Sequence, residues 1–532
     1  MNPIELSLFS SRITAVCSEM GAVLQAAAFS PNIRDRLDYS CAIFDLDGEL
    51  CAQAAHIPVH LGSMAYAMRD IVANINWHEG DMVIVNNPYL GGTHLPDVTV
   101  IAPVFQKQQL VAFVANRAHH ADIGSDTPGS MPISKKLEEE GIIISPSYIQ
   151  RAGKIEQTLF QKIISTTHNT DVTRGDFAAQ MSANNIGVTR LLVLIESMST
   201  TDSIQDQTSF EHALVELNIY AERLADSALQ QIPDGEYLFN DVMDDDGMGT
   251  TDIIIKVKIV VKHGKVLVDF TGTADQVIGN INCPLSVAAA GVYYVFRCLM
   301  PHNTPACSGS FRNITLTAPE GCLLNAKYPA AVAAGNVETS TRIVDVVMGA
   351  LAKALPDKIP AASHGSMNNL AMGSRGCGQK SNGVQENNNS TQMVWDYYET
   401  IGGGMGAGSK LDGLSGVQTH MTNTRNTPIE VLESHYPLRI TRYELRFGSG
   451  GRGLHHGGEG LIREFVFLAP TNVTLLTERR LHRPWGIQGG SDAKVGENRL
   501  NNKLISAKIN IEVAKGDRLT ISTPGGGGYG CV

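Results

Sequence analysis

The residues best suited to chemistry lie between Asn86 and Asp122. The segment reads NNPYLGGTHLPDVTV and, after an apolar stretch, NRAHHADIG. His94 and Asp97 stand three residues apart with Pro96 between them, and His119 and His120 follow as a pair. Pro96 biases the preceding residue toward extended backbone, and Gly91-Gly92 lets the chain bend. Two imidazoles and a carboxylate at one point suit a divalent zinc, manganese or iron ion with open positions. The competing reading is a hydrogen-bonded polar corner with no ion.

Those residues converge only if a hairpin brings them together. Val98–Phe105 and Leu110–Ala115 are apolar runs flanking Gln-Lys-Gln-Gln. If Gln106–Gln109 closes the hairpin, Phe105 pairs with Leu110 and Asp97 faces Ala118, next to His119. A three-residue loop instead pairs Asp97 directly with His119. Either register carries His94, Asp97, His119 and His120 to the open end. His56 and His60 lie at i, i+4 and read as supporting or core histidines rather than ligands.

The surrounding elements alternate between helix and strand. Apolar residues from Ile4 to Ala27 recur at helical spacing and stop before Pro31. Ser40–Asp45 reads as a strand with a turn at Asp47-Gly48, Leu61–Asn76 as a helix, and Met82–Val85 as a strand. Further helices are expected over 173–231, with a polar break near 200–208, and over Val287–Leu299 and Arg342–Leu355. Ile253–Phe270 reads as strand, His263-Gly264 turn, strand. Asn382 to Thr391 reads as a loop. Strands are expected at 438–447, 461–468, 473–476, 503–513 and 519–522.

Of 52 glycines in 532 residues, 24 fall after residue 400. That density excludes a helical bundle there. Apolar runs such as Arg463–Leu468 argue against a flexible tail, so the glycines are expected between strands. The fold class is therefore α+β. It has an N-terminal α/β region with the metal site (1–235), a central mixed region (236–395) and a Gly-rich, strand-dominated region (396–532). A net charge of −11 argues against nucleic acid or an anionic membrane as partner. There is no run of about 18 apolar residues and no basic N-terminal leader. Nine dispersed cysteines without a CxxC pair point to the cytoplasm.

Several familiar motifs fail. Gly448-x-Gly450-x-x-Gly453 and Gly525-x-Gly527-x-x-Gly530 match the dinucleotide pattern, but neither opens a helix, which a phosphate site requires. Asp244-Asp245-Asp246-Gly247 lacks the first and twelfth ligands of a calcium loop, with Val242 and Ile253 in those places. The chain therefore carries no recognisable ATP site or covalent nucleophile of its own.

The sequence resembles the hydantoinase B/5-oxoprolinase family nearly end to end. The resemblance rests on Arg34-Asp35-Arg36-Leu37-Asp38-Tyr39-Ser40-Cys41-Ala42, Gly92-Thr93-His94-Leu95-Pro96-Asp97 and His119-His120-Ala121-Asp122-Ile123-Gly124. It continues through Gly335-Asn336-Val337-Glu338-Thr339-Ser340, Tyr398-Glu399-Thr400-Ile401-Gly402-Gly403-Gly404 and Thr523-Pro524-Gly525-Gly526-Gly527-Gly528-Tyr529-Gly530.

The resemblance implies one half of a two-component, ATP-dependent hydrolase of cyclic amides such as 5-oxoproline or hydantoin. The other half would be a hydantoinase A-type subunit holding ATP and Mg, in an α2β2 heterotetramer. The family's metal ligands fall on Asp38, His94, Asp97 and His119. After phosphorylation of the lactam oxygen, a metal-activated water would attack the carbonyl carbon. His120 and Asp122, beside a ligand, are candidates to orient it or move a proton; Glu140 is a third. The alternatives are a subunit of an ATP-dependent ketone carboxylase and a non-catalytic scaffold for the ATPase.

Overall fold

A computed structural model describes residues 1–55, 57–198, 205–374 and 394–531. The expectations for His56 and for the 382–391 loop lie outside the described residues. Over these described residues the chain is α+β, built on four sheets. The first has the order β2-β1-β5-β4-β3-β6-β7, from β1 (Tyr39–Phe44), β2 (Leu50–Ala55), β3 (Met82–Val85), β4 (Asp97–Gln106), β5 (Gln109–His119), β6 (Ser147–Arg151) and β7 (Lys154–Ile155).

Both faces of this sheet are covered, so its inner strands are buried along most of their length rather than alternating between buried and exposed. One face packs on α1 (Pro3–Ala27) and, further along the chain, α5 (Thr170–Met198), through Ile13, Met20, Val114, Phe177 and Leu191. The other packs on α3 (Pro58–Ala73), through Phe44, Met64, Met68 and Phe113. α1 opens on a capping box, in which the Asn2 side chain accepts from the Glu5 amide while the Glu5 carboxylate accepts from the Asn2 amide. The short helices α2 (Pro31–Arg34) and α4 (Gln157–Ile164) flank this layer, and α6 (Gln205–Leu229) follows α5.

The second sheet, β11-β10-β9-β8, comprises β8 (Gly235–Asp245), β9 (Thr251–Lys262), β10 (Lys265–Asp269) and β11 (Ile314–Thr317). With the buried helices α7 (Leu285–Leu299) and α8 (Ser340–Leu351) it forms a central core. A single π-helical turn, Gly335–Thr339, leads into α8. The third sheet, β13-β12-β16-β19, pairs β12 (Asn369–Ser374) and β13 (Trp395–Glu399) with β16 (Thr471–Leu476) and β19 (Lys508–Val513). The fourth, β14-β15-β20-β17-β18, holds β14 (Leu438–Arg446), β15 (Gly460–Phe467), β17 (Glu497–Leu500), β18 (Lys503–Ile505) and β20 (Arg518–Ser522), with α9 (Ile429–His435) beside it. The single strand expected over 503–513 is thus two strands in different sheets, parted at Ser506-Ala507.

The glycine clusters do not serve mainly as turns. Segments around Gly404, Gly458 and Gly526 cross with their backbones in contact. A Cβ on Gly404 would sit 1.9 Å from the Gly458 carbonyl oxygen, and one on Gly457 1.8 Å from that of Gly526. Interchain-like hydrogen bonds lace the layer: Gly526 N donates to Gly458 O at 2.9 Å and Gly458 N to Met405 O at 2.8 Å. Here glycine is required for close approach.

Candidate metal centre

The hairpin decides where the candidate ligands meet. Lys107 and Gln108 have φ of 50° and 67° and form a two-residue turn of the type that suits the twist of a hairpin. At this tip Phe105 pairs with Leu110. A β-bulge then adds one residue to β5, so that Val104 pairs with Ala112 and, at the open end, Asp97 pairs with His119. Both registers allowed by the sequence therefore occur in one hairpin. The shift comes from a bulge rather than from a longer loop.

His94, Asp97 and His119 each present one donor atom, and these atoms lie within 4.8 Å of one another. All three side chains are at most 2% exposed. His94 Nε2 stands 3.2 Å from Asp97 Oδ1. Yet His94 Nε2, Asp97 Oδ1 and His119 Nε2 have no hydrogen-bond partner. Buried polar atoms are rarely left unpaired, and three such atoms facing one point fit a bound cation.

The opposite side of each of these side chains is held. Asp97 Oδ2 accepts from Thr93 Oγ1 at 2.5 Å and Asn336 Nδ2 at 3.2 Å, with His60 Nε2 3.4 Å away. His94 Nδ1 faces the Ala333 carbonyl at 3.2 Å, which leaves Nε2 as the free lone pair. His119 Nδ1 lies 3.2 Å from the Asn32 amide, and its ring stacks on Tyr398 at 4.5 Å and 10°. For Nε2 to ligate, Nδ1 carries the proton and Asn32 presents its oxygen. Arg36 fixes Tyr398 by donating to its backbone carbonyl at 2.9 Å.

Electrostatics follow from burial and proximity. Burial opposes the Asp97 carboxylate, but His94 and His60 outweigh it and hold the group well below the usual carboxylate range. Burial, with His94 nearby, pushes His119 well below an ordinary imidazole, so it is the neutral form that a metal requires.

Compared with known proteins, residues 2–532 match the Hydantoinase B/oxoprolinase family. The chain belongs to the hydantoinase B/oxoprolinase family. It is 39% identical to 5-oxoprolinase 1 of Arabidopsis thaliana over 99% of its own length and 42% of that protein, so it spans about two fifths of that relative. It superposes on the crystal structure of the ATP-dependent caprolactamase from Pseudomonas jessenii with a TM-score of 0.89 at 25% identity, covering all of this chain and 91% of that one. A nucleotide-free acetone carboxylase shares the fold, with a TM-score of 0.86 at 15% identity over 76% of that chain. The family thus comprises ATP-dependent lactam hydrolases.

The other residues singled out in this hydantoinase B chain lie around the trio. Asp38 is buried beside it but outside the 4.8 Å group. Its backbone carbonyl accepts from His119 N at 3.0 Å, and its carboxylate is 4.0 Å from Arg36. His120 turns toward α5, where Nε2 meets Gln180 Oε1 at 2.9 Å and the ring lies 4.4 Å from Phe177. The Asp122 carboxylate accepts from the amides of Gly124 at 2.8 Å and His168 at 2.5 Å. His120 and Asp122 line a pocket of about 230 Å³ with Asp176, Trp395 and His435. Glu140 is fully buried and reaches the backbone of Val332 and Ala333.

Asn32, Thr93, Ala333 and Tyr398 were not singled out from the sequence. Thr93, Asn336 and Tyr398 do fall in the motif runs quoted above, but nothing in the spacing of Asn336 and Tyr398 relates them to a hairpin more than 200 residues earlier. Neither dinucleotide-like glycine run opens a helix: the first leads to β15 and the second sits in the glycine layer. Eight cysteines are unpaired among the described residues, and no helix among them is long and apolar enough to cross a membrane.

Proposed function

We propose that this chain supplies the metal site of an ATP-dependent cyclic-amide hydrolase and works with a hydantoinase A-type ATPase subunit. The observation that carries the reading is the set of three unpartnered, buried donor atoms on His94, Asp97 and His119. It sits in a fold shared with a caprolactamase. A divalent zinc, manganese or iron ion held there would polarise a carbonyl oxygen and lower the pKa of a water toward neutrality.

The chain's own residues prepare that site. Thr93, Asn336 and His60 fix one oxygen of Asp97 and leave the other free. Ala333 and Asn32 set the proton positions on His94 and His119. Asp38, the fourth ligand that the resemblance implies, would add a second oxygen donor from outside the 4.8 Å group. His120 retains an unpartnered Nδ1 and Glu140 an unpartnered Oε2, so both remain candidates to move a proton. Both oxygens of Asp122 accept from backbone amides.

An unstrained amide needs activation beyond a polarised carbonyl. ATP and Mg would act on the partner, in an α2β2 assembly, and the substrate would be 5-oxoproline, hydantoin or another lactam. The test is co-expression with the cognate ATPase, metal analysis, and lactam-dependent phosphate release. His94→Ala and Asp97→Ala should lose the ion and at least 100-fold in turnover. Full ring opening by metal-free variants would overturn the reading. Bicarbonate-dependent consumption of a ketone would move it to the carboxylase branch, and a wild-type complex without metal would favour the scaffold.

A further inference from the structure

We infer that Glu140 is a positioning residue for the metal centre, acting through the backbone that orients His94 and supports Asp97. The inference rests on the metal reading above and adds a residue that touches no ligand. Glu140 Oε1 accepts three hydrogen bonds: from Ser134 Oγ at 2.7 Å, Val332 N at 2.9 Å and Ala333 N at 3.0 Å. Two successive peptide N–H groups thus converge on one carboxyl oxygen. Immediately downstream, the amides of Ala334 and Gly335 donate to Asn280 O at 2.9 and 3.1 Å. The backbone of Ala333 is therefore bracketed, with Glu140 on its N–H side and Asn280 on its carbonyl side.

The bracketed residue serves the metal site directly. The Ala333 carbonyl faces His94 Nδ1 at 3.2 Å and keeps Nε2 free. Three residues further on, Asn336 donates to Asp97 Oδ2. One buried carboxyl group therefore sets the position of a segment that supports two of the three ligands. The loop holding Glu140 is itself fixed against this segment. Leu137 N donates to Pro329 O at 3.0 Å, and Gly141 takes φ of 137° where a Cβ would lie 2.6 Å from Ile123 O.

The experiment is Co²⁺ titration of the full chain, read by its visible absorption bands, in wild type and in E140A, E140D, E140Q and S134A. E140Q keeps an acceptor oxygen and should bind within about threefold of wild type, with unchanged bands. E140A removes the acceptor and E140D withdraws it; both should weaken Co²⁺ binding by about 10–100-fold and shift the bands, the range seen when groups behind metal ligands are removed. S134A removes one bond to Glu140 without touching Val332 or Ala333 and should bind like wild type. Wild-type Co²⁺ binding with E140A and E140D unaffected would overturn this inference alone, as would E140Q losing as much as E140D. If E140A does not fold, E140D and E140Q decide the matter. Wild type that binds no Co²⁺ would overturn the metal reading and this inference with it.

Discussion

Gly526→Ala tests the most unusual packing in the molecule. The new Cβ would lie 2.0 Å from the Met405 oxygen, 2.2 Å from its carbonyl carbon and 2.6 Å from Gly406 N. Carbon and oxygen approach comfortably only at about 3.3 Å or more, so the segments must part by about 1 Å. All three obstacles are backbone, and none can swing away as a side chain would. Parting them stretches the bonds from Gly458 N to Met405 O and from Gly526 N to Gly458 O, now 2.8 and 2.9 Å. Overpacking costs about 1–3 kcal/mol, and each buried backbone group left unpaired adds about 1–3 kcal/mol.

The expected loss is therefore about 3 kcal/mol or more, with no contribution from φ, which is ordinary at Gly526. Two controls separate the causes. Gly516 has φ of 93° and no described atom within 4 Å of a Cβ, so Gly516→Ala should cost about 1–2 kcal/mol by backbone strain alone. Gly408 has neither constraint, and Gly408→Ala should be neutral or stabilising by up to about 1 kcal/mol. Urea midpoints and amide exchange across residues 400–460 and 520–530 would rank the three. A ranking in which Gly516→Ala costs more than Gly526→Ala, or Gly526→Ala matches wild type, would refute the close-approach argument.

Two further predictions concern buried charges. Arg463 and Glu399 are fully buried and paired through two bonds of 2.7 and 3.0 Å. Arg463→Met should destabilise by about 3–5 kcal/mol by leaving a buried carboxylate without its counter-charge, held only by Tyr397 Oη and Asn426 Nδ2, and adding Glu399→Gln should recover most of that; purely additive urea midpoints would refute the coupling. Burial, with His420 nearby, lowers the His364 pKa to about 3. A depressed imidazole contributes stability above its unfolded value of about 6.5 and loses it as pH falls toward the folded value, at about 1.4 kcal/mol per pH unit. His364→Gln should flatten that part of the acid limb of the stability profile, and an unchanged slope between pH 6 and 4 would contradict the assignment.

The sequence by itself determined many of the elements and the convergence of His94, Asp97 and His119, though it read 503–513 as one strand where there are two. Met82–Val85 is a strand as read, and the apolar runs on either side of Lys107-Gln108 close into the hairpin. These features are local: periodicity and short-range pairing are written in neighbouring residues. The resemblance to the hydantoinase B family also came from the sequence, because its motifs are contiguous. The bulge was not legible, since no residue type marks the extra residue that moves Asp97 opposite His119. Nor did the sequence separate glycine for turns from glycine for contact, because both uses look alike until the partner backbone is in place.

Only the tertiary structure decided what stands behind the candidate ligands. Ala333 and Asn336 reach His94 and Asp97 across 239 residues of chain, and Tyr398 stacks on His119 from the third sheet. Spacing carries no information about such contacts. They arise when separate layers bury their apolar faces together, and the polar groups trapped between them must then satisfy one another. The three donor atoms left without a partner became visible only once every other bond around them had been placed.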